Sequence, residues 1–333
     1  KGVGKPVSTG KDTAVYNFGY DGRTDWQEFT LIETPEAFAE IGTDSANWTE
    51  NYVLAGDLDL SGQTLSKIGV YYQNNAAQST AFTGKFSGDG HCLENVLIDD
   101  TGDCASLFAN NSGLIMNLSV KGKVNGHFFI GGICAYNGSG GMIYGCTFEG
   151  KAGGSSNDSI GGICGENHGR IKNCYSSGDV DGYNNVGGVA GYNSGSVTAC
   201  YNTGTVSGAA YVGGVCGGNG SAGTVSDCFN AGKVPGRKYV GGVVGNNSGN
   251  ITSCYSTGEV SGTMGDVGGV VGLSTRNTKN CYYNSDVFTQ TGNNNGIFGL
   301  TSAKLCDSLP SGFSSSVWEK GFITPGEGDT FRT

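Results

Sequence analysis

Residues 228–254 read Cys228-Phe229-Asn230-Ala231-Gly232-Lys233-Val234-Pro235-Gly236-Arg237-Lys238-Tyr239-Val240-Gly241-Gly242-Val243-Val244-Gly245-Asn246-Asn247-Ser248-Gly249-Asn250-Ile251-Thr252-Ser253-Cys254, and the pattern recurs along the chain. A Gly-Gly pair followed by Ile or Val starts at Gly131, Gly161, Gly187, Gly213, Gly241 and Gly268, with spacings of 30, 26, 26, 28 and 27 residues. Six registers in a row define an internal repeat, each unit stacking on its neighbours. Its Val, Ile, Tyr and Cys runs are too short and too often broken by Gly and Asn for helices, and they carry strand signals. With about three strands per unit and no run long enough for a crossover helix, the expectation is an all-β chain. It is a single right-handed parallel β-helix, or solenoid, of 26–30-residue coils stacked about 4.8 Å apart.

Equivalent positions then form ladders. The residue before Val in Gly-x-Val is Lys123, Asp179, Thr205, Lys233 and Glu259, followed by Val124, Val180, Val206, Val234 and Val260. Changing charge beside constant Val marks a strand with one buried face, so the Val column is the interior. Asn137, Asn167, Asn193, Asn219 and Asn247 recur just before a Gly. They are expected at turns, where Asn tolerates left-handed dihedrals and neighbouring amides bond along the stack. Gly is expected at the corners, for its dihedral freedom and for close backbone approach.

The flanks do not repeat. Residues 1–34 are expected as an extended segment with no assigned element. Residues 35–60 form the N-terminal cap, a short helix over 35–42 and an entry strand from Tyr52 to Leu60. The β-helix covers 61–285, clearest over 120–285. Residues 286–333 form an irregular C-terminal cap with a Gly/Asn loop at 292–296, a short helix at 302–307 and a Trp318 segment. The whole is read as one domain, with the caps that solenoids need for solubility.

Composition narrows the function. Of 333 residues 62 are Gly and only 5 Pro, with no strict every-third-residue period, which rules out collagen. A net charge of −10 repels phosphate backbones, so nucleic acid is not an expected partner. No stretch has the roughly 18 uninterrupted apolar residues of a membrane span. The chain opens at Lys1 with no charged-then-apolar leader, which reads as a mature or trimmed segment. No Leu-Pro-x-Thr-Gly signal is present, so an attachment device is expected outside the segment.

The repeated Val-Gly-Gly-Val-x-Gly-x-Asn-x-Gly-x-Ile/Val-x-x-Cys-Tyr resembles bacterial cell-surface proteins with GLUG-type repeats, a motif also found in the non-catalytic part of some IgA-cleaving metalloproteases. Tyr52-Val53-Leu54, Asp57-Leu58-Asp59-Leu60 and Phe82-Thr83-Gly84-Lys85-Phe86-Ser87-Gly88-Asp89-Gly90-His91 join the match, which covers most of residues 35–320. The resemblance implies a parallel β-helix at an extracellular or cell-surface location. The protease's His-Glu-x-x-His zinc motif is absent, so no proteolytic role carries over.

Cys146, Cys174, Cys200, Cys228, Cys254 and Cys281 share one register, while Cys134, Cys164 and Cys216 share another with Ala190, Val244 and Val271. A position that accepts Cys, Ala and Val is a small apolar core position, so buried thiols are expected rather than disulfides. No C-x-x-C spacing exists, and neither a metal nor a cofactor is expected. His91, His127 and His168 fall in different coils and read as turn or surface residues. No Gly-x-Ser-x-Gly or Walker A motif is present.

The enzymatic alternative is a β-helix polysaccharide lyase or glycoside hydrolase, which needs clustered carboxylates on adjacent coils. The outward ladder Asp179, Thr205, Lys233, Glu259 puts no two carboxylates on neighbouring rungs, and the remaining pair, Asp179 and Asp181, reads as a solvated edge. Two binding surfaces compete with it. The residues after the ladder Cys, Tyr175, Tyr201, Phe229, Tyr255 and Tyr282, form an outer stripe if the Cys point inward and part of the core if they do not. The segments before each Gly pair vary, as a repeat protein's binding edge does. They contain His127, Tyr183, Tyr211, Arg237, Lys238 and Tyr239, a basic-aromatic group suited to an acidic glycan or a protein carboxylate. The sequence therefore points to a non-catalytic adhesin-like or spacer module, monomeric as this segment, meeting glycan or a host surface protein through that loop edge.

Overall fold

The computed structural model describes residues 7–8, 14–73, 75–100, 102–154, 158–276, 278–288, 296–307 and 310–313. They form a parallel β-solenoid of about seven turns. Its coils feed a 10-stranded sheet, a 7-stranded sheet and a third sheet that bends round the remaining side. The stacking is in register. Ile115, Ile143, Ile171, Val197, Val225 and Ile251 stand on one another in the first sheet, and Ala152, Val180 and Val206 in the third. All are buried, in one apolar core that runs from Ile32 to Ile297. Each such Val or Ile contributes roughly 1.5–3 kcal/mol relative to exposure. Beside the Val column Lys123, Asp179, Lys233 and Glu259 are exposed, as the alternation requires.

Three expectations need correction. Asn111, Asn137, Asn167, Asn193, Asn219 and Asn247 do bond along the stack, each Nδ2 donating to the next Oδ1 at 2.7–2.8 Å and the last to Ser274 Oγ at 3.1 Å. They are not the left-handed turn residues, however. Left-handed φ falls on Asn173, Ala199, Asp227, Ser253 and Asn280, each just before a ladder Cys, and on Phe129, Ser159, Asn185, Tyr211 and Tyr239, at 47–64°. The corners thus fall largely on non-glycine residues. A side chain there costs roughly 1–2 kcal/mol, an expense set against the stacked strands on either side. The Gly pairs answer close approach instead. A Cβ on Gly187 would lie 2.1 Å from the Ala190 carbonyl oxygen, and one on Gly188 2.3 Å from that of Gly214.

The third correction concerns three of the segments before the Gly pairs, expected as loops; those at 127–129 and 263–265 lie outside strands, as expected. Strands Asp179–Gly187, Val206–Gly213 and Val234–Gly241 continue through the other three, each turning a corner at Asn185, Tyr211 or Tyr239. Gly182, Gly208 and Gly236 hold the register. Backbone hydrogen bonds to the coils above and below satisfy this stretch whatever its side chains are, so variable sequence does not require a loop.

Helix α1 (Pro35–Ile41) closes the first coil. Thr34 caps it by accepting from the Ala37 N–H at 3.2 Å, Pro35 sits where no N–H is needed, and Phe38 and Ile41 are buried. Trp48 packs beneath, its indole N–H donating to the Ile41 carbonyl at 3.0 Å. Ahead of the helix, where no element was assigned, antiparallel strands Ala14–Asn17 and Trp26–Glu28 form a strap across the outer face of the 10-stranded sheet. Tyr16 and Phe18 bury against Val53, Leu114, Met116 and Met142. Asp25 pairs with Lys85, and Asp21 with Lys172 at 2.7 Å.

Helix α2 (Ser302–Asp307) lies where the sequence placed it. The loop at 292–296 falls outside the described residues except for Gly296, as does the Trp318 segment. The described cysteines of both registers are buried free thiols. Burial pushes Cys104 up to about 12 and Cys216 well above the usual value, so neither offers a thiolate.

Candidate functional site

Five of the six sequence-predicted site residues share one patch on the bent third sheet. Registers Gly182–Gly208–Gly236 and Asn184–Ala210–Lys238 set Tyr183, Ala209 and Arg237 on successive rungs. The left-handed corner positions beside them hold Asn185, Tyr211 and Tyr239. Tyr211 and Tyr239 stack at 5.3 Å with planes 7° apart, and Lys238 Nζ lies 4.4 Å from the centroid of Tyr239. Arg237 Nε reaches Met264 Sδ at 3.3 Å. Tyr183 is 55% exposed, and the small Ala209 and Ala210 occupy the rung between it and the two cations. Asn185 shows that asparagine, better suited to left-handed backbone, fits this corner. The paired tyrosines are therefore not explained by backbone geometry alone.

His127 stands apart, four rungs from Arg237. Its ring meets Phe128 edge-on at 4.2 Å and its Nδ1 lies 3.6 Å from Asp103. It lines a different cleft of about 540 Å3, together with Asp99, Asp100, Lys123, Asn125, Lys151 and Asp181. Lys151 had escaped the outward ladder because its coil carries Ala152 where the others carry Val. Its place on the rung between Lys123 and Asp179 was readable from the 28-residue step.

The Cys do point inward, and Tyr175, Tyr201, Phe229 and Tyr255 stack outside the tube at 4.2–5.1 Å. Phe313 and Leu300 of the C-terminal cap pack against the lower end of this stripe. Phe229, Tyr255 and Tyr282 are consequently buried, and only Tyr175 and Tyr201 stay partly open.

One constellation was missed. Ser194 Oγ lies 2.7 Å from His168 Nδ1, and His168 Nε2 lies 2.9 Å from Glu166 Oε1. The signal was available, since Ser194 follows ladder Asn193 as His168 follows ladder Asn167. The triad-like order does not make a nucleophile. The nearby N–H groups of His168, Gly169, Ser194 and Gly195 all donate to ladder carbonyls, leaving none to hold an oxyanion. The chain instead braces His168 under Tyr136, which stacks on Tyr71 at 3.8 Å.

Asp179 and Asp181 are each tied to the next coil, accepting from the Thr205 N–H at 3.0 Å and from Ser207 Oγ at 2.7 Å. Asp99 and Asp181 are three rungs apart, about 14 Å at strand spacing. That exceeds the 6.5–9.5 Å or so of an inverting carboxylate pair. Among the described residues no group of three or more His, Cys, Asp or Glu is placed to hold a metal, and no helix is long and apolar enough to cross a membrane.

The class of this fold is a parallel β-solenoid with repeating coils, and its repeats match a described motif. Residues 156–181, 182–207 and 236–261 fit the GLUG motif, so the chain carries GLUG repeats. No curated protein matches it significantly. Among solved structures it is similar to a Bacteroides ovatus protein described as a "putative immunoglobulin A1 protease". The two share 19% identity over 88% of this chain and 90% of that one, with a TM-score of 0.57. At that identity the likeness establishes the fold alone.

Proposed function

We propose that this chain is a non-catalytic module of a secreted or surface bacterial protein, and that it recognises saccharide through the Tyr183–Arg237–Tyr239 patch. The GLUG repeats and the fold shared with the Bacteroides protein support the setting. The observation that carries the binding role is the half-buried Tyr211–Tyr239 stack with Lys238 against it. Sugar rings pack their C–H faces on aromatic planes, and a neighbouring cation suits an acidic substituent.

Binding to a glycan array, with intact cells as a second target, tests this. Tyr239→Ala and the double change Arg237→Ala with Lys238→Ala each reduce binding at least tenfold while circular dichroism stays unchanged. Equal binding by these variants and the parent removes the patch from the reading. Incubation with acidic and neutral polysaccharides tests the non-catalytic half, since release of unsaturated or reducing ends, lost in Asp179→Ala or Asp181→Ala, makes the chain an enzyme.

A further inference from the structure

The cleft that holds His127 carries an arrangement the saccharide patch does not use. Lys123 and Lys151 occupy directly opposed positions on neighbouring parallel strands, Ser119–Asn125 and Thr147–Gly153. Like charges so placed repel, and neither lysine makes an ion pair among the described residues. Other lysines on this acidic chain do find carboxylates. Lys67 pairs with Asp100, Lys121 with Glu94 and Glu149, and Lys233 with Glu259. Asp179 stands one rung beyond Lys151 and accepts the Thr205 N–H instead.

The surroundings are concave and have both hydrogen-bonding characters. Gly153 lies on the floor, where the rung above has Asn125 and the rung below Asp181. A Cβ there would lie 2.5 Å from the Asp181 carbonyl oxygen, so the floor at this rung is bare backbone. Asp99, bonded by Asn125 Nδ2 at 2.7 Å, and Asp181, bonded by Ser207, stand at opposite ends with acceptor capacity to spare. An anionic centre between two ammonium groups, flanked by hydroxyls that donate to carboxylates, is the complement of this wall. A short chain of uronic acid sugars has that pattern, with a carboxylate on each ring and hydroxyls on either side.

We infer that the Lys123–Lys151 cleft is a second binding site, specific for a uronate-containing oligosaccharide whose carboxylate sits between the two ammonium groups. The site is separate from the Tyr211–Tyr239 patch and stands or falls independently of it.

Calorimetric titration with tetragalacturonate, with its methyl ester, and with a neutral tetrasaccharide of similar length tests the assignment. The parent protein binds the free acid, and the ester and the neutral sugar at least tenfold more weakly. Lys123→Gln and Lys151→Gln each weaken the free acid several-fold, and together they abolish binding. Their melting temperature stays level or rises, because the substitutions remove a repulsion; a merely structural pair of lysines would lower it. Arg237→Ala with Lys238→Ala leaves uronate binding intact. No binding of the acid by the parent, equal affinity for acid and ester, undiminished binding by the double glutamine variant, or loss of uronate binding in the Arg237/Lys238 variant each overturns the site.

Discussion

The outer face of the 10-stranded sheet is built in two ways, under cover and bare. Beneath the 14–29 strap its outward residues are Leu114, Met116, Met142 and Tyr144, whereas the same positions on later coils are Ser196, Thr198, Thr224, Ser226, Asn250 and Thr252. The boundary falls at Arg170 and Lys172, which reach Tyr20 Oη at 3.2 Å and Asp21 at 2.7 Å on the strap's edge. The inward residue between them is Ile or Val on both sides of that boundary. In a solenoid the repeat dictates the inside, and whatever lies on the tube dictates the outside. The aromatic stripe obeys the same rule, buried where the C-terminal cap packs and half-open where it does not.

The contrast is most sharply broken by emptying the covered side. Phe18→Ala removes a fully buried ring and should cost about 3–5 kcal/mol. Hydrogen exchange should show the loss as faster opening of residues 14–29, with bare Leu114 and Met116 raising dye binding, while the coils after 190 keep their protection. Equal loss of protection along the whole chain would mean that strap and tube unfold as one.

A cut through the interior should cost less but spread further. Asn193→Ala leaves Asn219 Oδ1 without its donor, at about 1–3 kcal/mol for a buried group, and leaves Asn167 Nδ2 only its longer bonds to the Gly169 and Ser196 carbonyls. The damage belongs to both neighbouring coils, so exchange should accelerate around 167 and 219 together.

Alkali should loosen the covered region through one buried hydroxyl. Burial, with the Asp89 carboxylate beside it, pushes the Tyr16 hydroxyl up from 10.0 to about 12. The unfolded chain gives up this proton first, so the strap's contribution is whole below about pH 10 and declines as pH rises towards 12. Near-ultraviolet circular dichroism should follow that decline in the parent, and Tyr16→Phe should remove the step attributable to this hydroxyl. On the bare side, Thr224→Ala should shift stability by no more than about 0.5 kcal/mol. A larger effect in chemical denaturation would show that the bare face has a partner of its own.

The tube was legible because its signal repeats. Val124, Val180, Val206, Val234 and Val260 state one fact in several places, and the buried Asn column does likewise. The strap was not legible, since Tyr16 meets Asp89 and Asp21 meets Lys172 across 73 and 151 residues, with no second copy of either contact. The corners misled for a different reason. Left-handed backbone is locally cheapest on Gly, but here neighbouring coils impose it on Tyr211 and Tyr239. Within the candidate patch, the grouping of Tyr183, Tyr211, Arg237, Lys238 and Tyr239 followed from spacing alone. His127 did not join it because a shared position in the repeat fixes the column and not the height. Lys151 was hidden by a single Val-to-Ala difference next door.

Each amide in the buried asparagine column takes a bond from one side and hands the same bond on to the other. Such a junction carries no address: coil 193 would seat on coil 137 as readily as on coil 167. Gene duplication can therefore lengthen or shorten this protein by whole turns without reworking an interface, provided that the two capped ends are kept. The length of the tube becomes a quantity that evolution can count out in single coils.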